Sequence, residues 1–143
     1  MRLEWVFLAE GIGVNASGAV TAISINANVF PTAAVPAVTK RVVLAHFTAE
    51  SEESAGLIGK EITITLRVTG PSGEAIFAHG ANARLATPAW PALPSGFDVA
   101  LEAQLRVTEF GKHEVELSAH TEGGPALKAQ SYLYVVEPPK AAV

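Results

Sequence analysis

The feature that most constrains the fold is a two-residue alternation of apolar and polar side chains that recurs along the chain. In the segment 61–68, isoleucine, leucine and valine occupy every second position, and glutamate, threonine and arginine fill the positions between them. Successive side chains of a β-strand point to opposite faces, so this spacing predicts a strand with one buried and one solvated face. Apolar residues at helical spacing are nearly absent. The chain is therefore predicted to be all-β.

Turn residues separate the alternating segments. Asn15–Gly18 and Gly70–Gly73 have the composition of tight turns. The predicted strands lie at 3–10, 19–29, 40–48, 61–68, 74–79, 97–107, 113–120 and 126–136. The stretch 49–59 is predicted to be a linker-like loop. About eight strands, with no helix to cross between parallel strands, predict an immunoglobulin-like antiparallel β-sandwich with Greek-key connections, and a closed barrel is the alternative.

Length and composition predict one folded domain. The chain has 143 residues, of which 49% are hydrophobic and 17% are charged. This is enough apolar material to form one core, and it excludes general disorder. We predict a single domain over 1–143, with 137–143 as a flexible tail.

The distribution of charge excludes two classes of partner. The net charge is −4, and among the ten lysines and arginines only Lys40 and Arg41 are adjacent. A nucleic-acid binder, like a polybasic membrane site, needs clustered cations to meet phosphates. The apolar run 5–9 lies between Glu4 and Glu10 and is too short for a signal peptide or a membrane span. We therefore predict a cytoplasmic protein that binds neither nucleic acid nor membrane.

Two motifs resemble functional signatures but have the wrong context. Gly11–Ala16 spells G-x-G-x-x-A, yet a β-pattern follows it where a dinucleotide site needs a helix N-terminus. Gly70–Gly73 has neither the spacing nor the following helix of a nucleophile elbow. The chain has one aspartate, Asp98, so an aspartate-oriented triad would depend on that residue. We predict no cofactor and no enzymatic activity.

Candidate metal ligands are also scattered. The chain has no cysteine, which excludes thiolate sites. His113 and His120 lie on one predicted strand, about 24 Å apart at about 3.4 Å per residue, and their odd spacing sends them to opposite faces. The acidic run 50–53 lacks the ligand order of a calcium loop, so we interpret it as a solvated loop, and cation binding there stays the alternative.

The first and last predicted strands carry apolar side chains on both faces. In the first strand the predicted inward set is Leu3, Trp5, Phe7 and Ala9. The residues left on the outer faces of the two strands are Val6, Leu8, Tyr132, Tyr134 and Val136. First and last strands are commonly neighbours in immunoglobulin-like sandwiches, and tyrosines are typical of interface cores. These five residues are the predicted interaction surface, for a protein partner or for a homo-oligomer.

The segment 88–94 contains two overlapping P-x-x-P spacings around Trp90. It favours polyproline II and is a candidate ligand for a proline-recognising domain. We favour a segment that spans one end of the sandwich, with Trp90 and Leu93 packed on the core. If the chain binds a carbohydrate or another small ligand, Trp90 is the predicted stacking residue.

The strand Leu3–Glu10, the hairpin glycine at position 18 and the strand residues Ile23–Asn26 resemble a family of small uncharacterised bacterial proteins. Those proteins pair an LLADxA-like strand with a G-x-x-x-I/V-x-G strand. The segments 94–107 and 109–117 are similar to the C-terminal part of that family, although His113 stands where an aromatic residue is usual. The resemblance implies a small β-sandwich of unknown function and supplies no site residues.

For function, we favour a non-enzymatic interaction or structural module that works through a sheet face or edge. A β-sandwich that binds a small ligand or a carbohydrate is the second hypothesis. An enzyme ranks third, because no nucleophile, base and orienting group are spaced to act together.

Overall fold

A computed structural model of the chain describes residues 1–17, 19–84, 92 and 94–140. Within these residues there are ten strands and one short helix, and the predicted all-β class is confirmed. The elements are β1 (Arg2–Ala9), β2 (Gly11–Val14), β3 (Val20–Ile23), β4 (Val29–Pro31), β5 (Ala37–Ala49), α1 (Ser51–Leu57), β6 (Glu61–Thr69), β7 (Ala75–Arg84), β8 (Ser95–Val107), β9 (Gly111–Thr121) and β10 (Leu127–Val136). The strand count of ten exceeds the predicted count of about eight.

Two sheets face each other across one core. One has the order β1-β5-β8 and the other has the order β4-β10-β9-β6-β7, while β2 and β3 form a separate hairpin. The strand pairs in these sheets are antiparallel, except that β4 runs parallel to β10. Side chains from both larger sheets fill the space between them. The domain is thus a sandwich with a hairpin attached.

The strongest alternating segments lie in the core as predicted. In β6 the apolar set is fully buried and the intervening side chains are exposed or half-buried. Strand β9 pairs with β6 along its length. It shows the same alternation of buried and more exposed side chains. The buried residues of the two strands are Ile62, Ile64, Leu66, Val68, His113, Val115, Leu117 and Ala119.

The predicted orientation of β1 is wrong from Trp5 to Leu8, whereas Leu3 packs against the core as predicted. Leu8 is 1% exposed and lies in the core between the sheets, and Val6 packs against that core. The register of β1 against β5 shifts between Leu3 and Trp5. This bulge lets Leu3 and Leu8 contact the same core although five positions separate them, and it turns Trp5 to the outer face.

The hairpin of β2 and β3 covers part of the outer face of the three-stranded sheet. Ala9, Val42 and Leu44 are buried there, against Ile12 and Ala22 of the hairpin. Strand β5 is therefore covered on both faces, which explains why positions 42–45 are apolar without alternation. The hairpin is a third layer of the fold.

Asn15 organises the turn of this hairpin, as its position in the sequence predicts. Its side-chain Oδ1 accepts hydrogen bonds from the backbone N–H groups of Ser17 and Ala19, at 3.0 and 2.9 Å. Ser17 Oγ donates to the same oxygen at 2.7 Å. The G-x-G-x-x-A motif thus belongs to a strand and the turn that follows it.

The predicted strand 19–29 is interrupted. Ser24 and Asn26 have φ angles of 53° and 60°, in the left-handed region, where asparagine is enriched. The chain turns at these residues and crosses to the five-stranded sheet, where Val29 pairs with Tyr134. One predicted strand is therefore two, β3 and β4, in different sheets.

Residues 24–29 cross from the β2–β3 hairpin to the five-stranded sheet, and we call them the crossing segment. Arg41 holds this segment in place. Its side chain is buried, and it donates hydrogen bonds to the carbonyl oxygens of Ala27 and Val29 at 2.9 and 3.1 Å. It also donates to Thr39 Oγ1 at 2.7 Å and to the Lys40 carbonyl at 2.9 Å. Desolvation by burial lowers the pKa of Arg41, against the opposing effect of the Glu10 carboxylate.

The predicted linker-like loop 49–59 is also wrong, because it contains the helix α1. Glu52 lies in its first turn, where a negative charge interacts favourably with the helix dipole. Gly59, at a φ of 77°, follows the helix end, and Lys60 N–H donates to the Leu57 carbonyl at 3.0 Å. Just before the helix, Glu50 forms an ion pair with Arg2 at 3.2 Å.

The β6–β7 and β8–β9 turns contact each other at one end of the sandwich. Gly70 and Gly73 close the first turn by a backbone hydrogen bond of 2.9 Å, so the predicted hairpin is confirmed. Ser72 donates to Glu109 Oε2 from its hydroxyl at 2.8 Å and from its backbone N–H at 3.3 Å. Gly111, with a φ of 119°, lies against Pro71.

Candidate functional site

Three aromatic rings lie close together on the outer face of the three-stranded sheet. The ring of Trp5 is 4.7 Å from that of Phe7 and 5.4 Å from that of His46, with interplanar angles of 23° and 15°. Trp5 and Phe7 are two residues apart on β1, and His46 is the partner of Trp5 on β5. Strand geometry therefore places all three on one face, and we call them the aromatic face.

His46 is held in this position by its neighbours on β8. Its Nδ1 lies 2.7 Å from Oδ1 of Asp98, its partner in the β5–β8 pairing. A carboxylate only accepts hydrogen bonds, so Nδ1 carries the proton. A Cβ atom at Gly96 would lie 3.1 Å from His46 Cε1, so glycine leaves room for the ring over the backbone.

A groove of about 210 Å³ separates the aromatic face from the β2–β3 hairpin, and we call it the hairpin groove. Its lining residues are Trp5, Phe7, Val20, Ala22, Ile25, Leu44 and Asp98. Six of these side chains are apolar or aromatic, and Asp98 carries the single formal charge of the lining. The groove can thus hold an apolar group with one polar contact at its Asp98 end.

The rim of the hairpin groove exposes large apolar side chains. Trp5 is 36% exposed, and Val20 and Ile25 are also exposed. Isolated apolar side chains are ordinary on a surface, but an aromatic cluster beside an apolar groove is typical of interaction sites.

The five residues of the predicted interaction surface do not form one patch. Leu8 and Val6 face the core, so their placement on an outer face is wrong. Tyr132, Tyr134 and Val136 do share the outer face of β10, and we call them the tyrosine strip. β1 and β10 belong to different sheets, and Val6 and Leu8 point into the core, so they do not share a face with the tyrosine strip.

The tyrosine strip is partly covered by neighbouring side chains. Tyr134 is 41% exposed, and the exposed Val29 is its partner on β4. Lys112 Nζ lies 3.8 Å from the centroid of the Tyr132 ring, which is the geometry of a cation–π contact. The tyrosine strip is thus an apolar surface that neighbouring side chains partly cover.

The predicted stacking residue, Trp90, lies outside the described residues, as do most of its neighbours in 88–94. The structure therefore gives no position for Trp90. Trp5, which the alternation predicts to face the core, lies beside a groove.

The histidines lie as their spacing predicts. His113 is fully buried and His120 is exposed, on opposite faces of β9. His113 Nδ1–H donates to the Gly111 carbonyl at 3.1 Å, and within the described residues no hydrogen bond reaches its Nε2. Among those residues no group of three or more histidine, aspartate or glutamate side chains is arranged to hold a metal ion.

One sequence signal for the site lies in β1, although the predicted orientation of that strand directs Trp5 toward the core. A strand with apolar side chains on both faces is expected to have other parts of the protein packed on both. Strand β1 carries Trp5 and Phe7 on one face and Val6 and Leu8 on the other. The sequence did not indicate which side faces the main core. The involvement of His46 and Asp98 depends on long-range strand register, for which the sequence has no local signal.

Comparison with protein-family models and with curated proteins gives no match. Within the described part of the chain, no helix has the length and hydropathy that crossing a membrane requires.

Proposed function

We propose that this chain is a non-enzymatic interaction module that binds a protein partner, or a second copy of itself, through the aromatic face and the hairpin groove. The observation that carries the proposal is the half-exposed Trp5 ring beside an apolar groove. Interfaces derive most of their binding energy from a few aromatic or arginine anchors that insert into pockets. Here the module supplies both an anchor, Trp5, and a pocket for an anchor of the partner.

His46 and Asp98 have the arrangement of a base and its orienting carboxylate, which invites an enzymatic interpretation. We assign the pair a positioning role instead. The imidazole lies parallel to Trp5 and against the backbone of Gly96, so the hydrogen bond to Asp98 fixes the ring within the aromatic face.

The proposal predicts that Trp5→Ser combined with Ile25→Glu abolishes association. Both side chains line the hairpin groove and lie outside the core, so the fold is retained while the contact area loses its anchor and gains a charge. Loss of a buried aromatic anchor costs about 2 kcal/mol or more, about a thirtyfold weaker complex. Sedimentation velocity over a concentration series measures self-association, and quantitative mass spectrometry of proteins retained from the native cell extract measures partner binding.

The matched control is Tyr134→Glu, an equally exposed aromatic position on the opposite sheet. The Tyr134→Glu variant should show the same oligomeric state in sedimentation velocity as the unmodified chain. It should also retain the same partners. Equal behaviour of all three proteins would contradict the proposal. Loss of binding in Tyr134→Glu alone would move the interface to the tyrosine strip.

A small-ligand or carbohydrate module is the second candidate function, because the hairpin groove has a defined volume and a ring beside it. The chain has two tryptophans, so Trp90→Phe leaves Trp5 as its single indole fluorophore. If the groove holds a ligand, a panel of glycans and small apolar molecules will include one that shifts Trp5 emission saturably. A Trp5→Phe, Ile25→Glu variant, which keeps Trp90, should bind that molecule at least about tenfold more weakly. Unchanged emission across the panel would count against this function.

We also propose that the sandwich is immunoglobulin-like with Greek-key connections, and that residues 1–143 form one cytoplasmic domain related to the small bacterial family that its strands resemble. The support for the topology is that β7 leads to β8 in the opposite sheet, and that β9 then returns to pair with β6.

A further inference from the structure

We propose that the hairpin groove receives a cationic side chain, lysine or arginine, from the protein partner. This inference rests on the proposed function and specifies the chemistry that the partner presents. Three features of the groove support it: its charge, its rings and its apolar walls.

The charge of the groove comes from one carboxylate. Asp98 is the one charged residue among the described lining residues, and its Oδ1 accepts the hydrogen bond from His46. Within the described residues no hydrogen bond reaches the second oxygen, Oδ2. A carboxylate has room for about four hydrogen bonds, so Asp98 keeps the capacity to accept donors from an ammonium or guanidinium group.

Two of the cationic side chains on this sheet face are already paired. Lys40 lies 3.0 Å from Glu102, and Arg2 lies 3.4 Å from Glu4. Among the residues that the structure describes, no lysine or arginine lines the groove, so none of them competes for Asp98 there. The net charge of −4 also attracts a cationic partner at long range.

The rings and walls of the groove fit the rest of such a side chain. The stems of lysine and arginine are apolar, and Val20, Ile25 and Leu44 provide an apolar surface for them. Trp5 and Phe7 provide ring faces or edges near the charged end, and tryptophan is the strongest cation–π partner among the side chains.

Other side chains fit less well. An apolar anchor would take water from the Asp98 carboxylate and leave its Oδ2 without a donor, which is unfavourable. An acidic anchor would meet Asp98 as a like charge. A cationic side chain satisfies both the carboxylate and the apolar walls.

The test is a nuclear magnetic resonance titration of the full chain with four blocked amino acids: the N-acetyl amides of lysine, arginine, norleucine and glutamate. We expect lysine and arginine amides to shift the Trp5 indole and the Ile25 and Leu44 methyl resonances saturably. The norleucine amide, which has the stem without the charge, should bind at least about fivefold more weakly, because it lacks a charge-assisted hydrogen bond. The glutamate amide should not shift these resonances.

Two variants make the test specific. Asp98→Asn keeps an oxygen for His46 but removes the charge, and it should weaken lysine and arginine binding about fivefold to tenfold. Glu102→Gln, on the same strand but outside the groove, should leave binding unchanged. A norleucine amide that binds as tightly as lysine, an Asp98→Asn variant that binds normally, or the absence of any shift at the groove would overturn the inference.

Failure of this inference is distinguishable from failure of the proposed function. If the titration fails while Trp5→Ser with Ile25→Glu still loses its partner, the interface stands and the partner's anchor is not cationic. If that variant keeps its partner, the proposed function itself is wrong.

Discussion

Replacing Arg41 with methionine is expected to lower the free energy of unfolding by about 2–4 kcal/mol. Methionine fills much of the volume of the arginine stem but donates no hydrogen bonds. The substitution therefore leaves the carbonyl groups of Ala27, Val29 and Lys40 and the Thr39 hydroxyl without the donor they have in this structure. Urea denaturation at neutral pH, followed by circular dichroism, measures the loss.

The matched control is Arg106→Met, on the exposed face of β8. Its free energy of unfolding should stay within about 0.5 kcal/mol of that of the unmodified chain. Hydrogen exchange adds a local measure, because the crossing segment around Ala27 and Val29 should lose protection in the Arg41 variant. If the two arginine variants were equally stable, the buried hydrogen bonds of Arg41 would not be stabilising the fold.

Gly111→Ala is expected to destabilise the domain by a similar amount, about 2–4 kcal/mol. Gly111 has a φ of 119°, a conformation that residues with a Cβ rarely adopt. A Cβ at this position would also lie 3.1 Å from Pro71 Cγ in the facing turn. The variant must therefore bear backbone strain and also push two turns apart, and urea denaturation reports both costs together.

Two further variants separate the causes. Gly13→Ala is the control, because its Cβ would meet no atom within 4 Å and its φ lies outside the left-handed region. It should change stability by about 0.5 kcal/mol or less. Pro71→Ala in the Gly111→Ala background removes the clashing Cγ, so it should recover the steric part of the loss and leave the strain. A Gly111→Ala protein as stable as Gly13→Ala would show that neither cost exists.

The parts of the fold that the sequence predicts are those in which one face is apolar and the other is polar. In β6 and β9 the alternation determines which side chains are buried, since a slip by one residue would expose the whole apolar set. Strand β1 lacks this asymmetry. Both of its faces are apolar, so the sequence leaves its orientation undetermined, and the bulge between Leu3 and Trp5 removes the regular spacing as well.

Two other errors have local causes. The helix α1 is only seven residues long, too short to show a clear helical period. The turn at Ser24 and Asn26 interrupts a segment whose alternation continues through it, and neither residue is a glycine or a proline that would mark the break. At the Ser24 turn the conformation is stabilised by contacts from another strand, those of Arg41 with the crossing segment.

The candidate site was predictable only in part. The tyrosine strip follows from the alternation in β10, and the exposure of Tyr134 and Val136 agrees with it. The aromatic face combines residues of β1 and β5, and Asp98 of β8 holds its histidine, although these strands are far apart along the chain. Its assembly depends on two registers, Trp5 with His46 and His46 with Asp98, and no local pattern specifies a register between distant strands.

The buried contact beneath the hairpin fixes the position of one wall of the groove. Ile12 and Ala22 pack on Ala9, Val42 and Leu44, so lifting the hairpin would return these apolar side chains to water. Full exposure of one large aliphatic side chain costs about 1.5–3 kcal/mol. The width of the groove is therefore set by the fold itself, so if the proposed partner binds there, the entropy lost on association falls mainly on that partner.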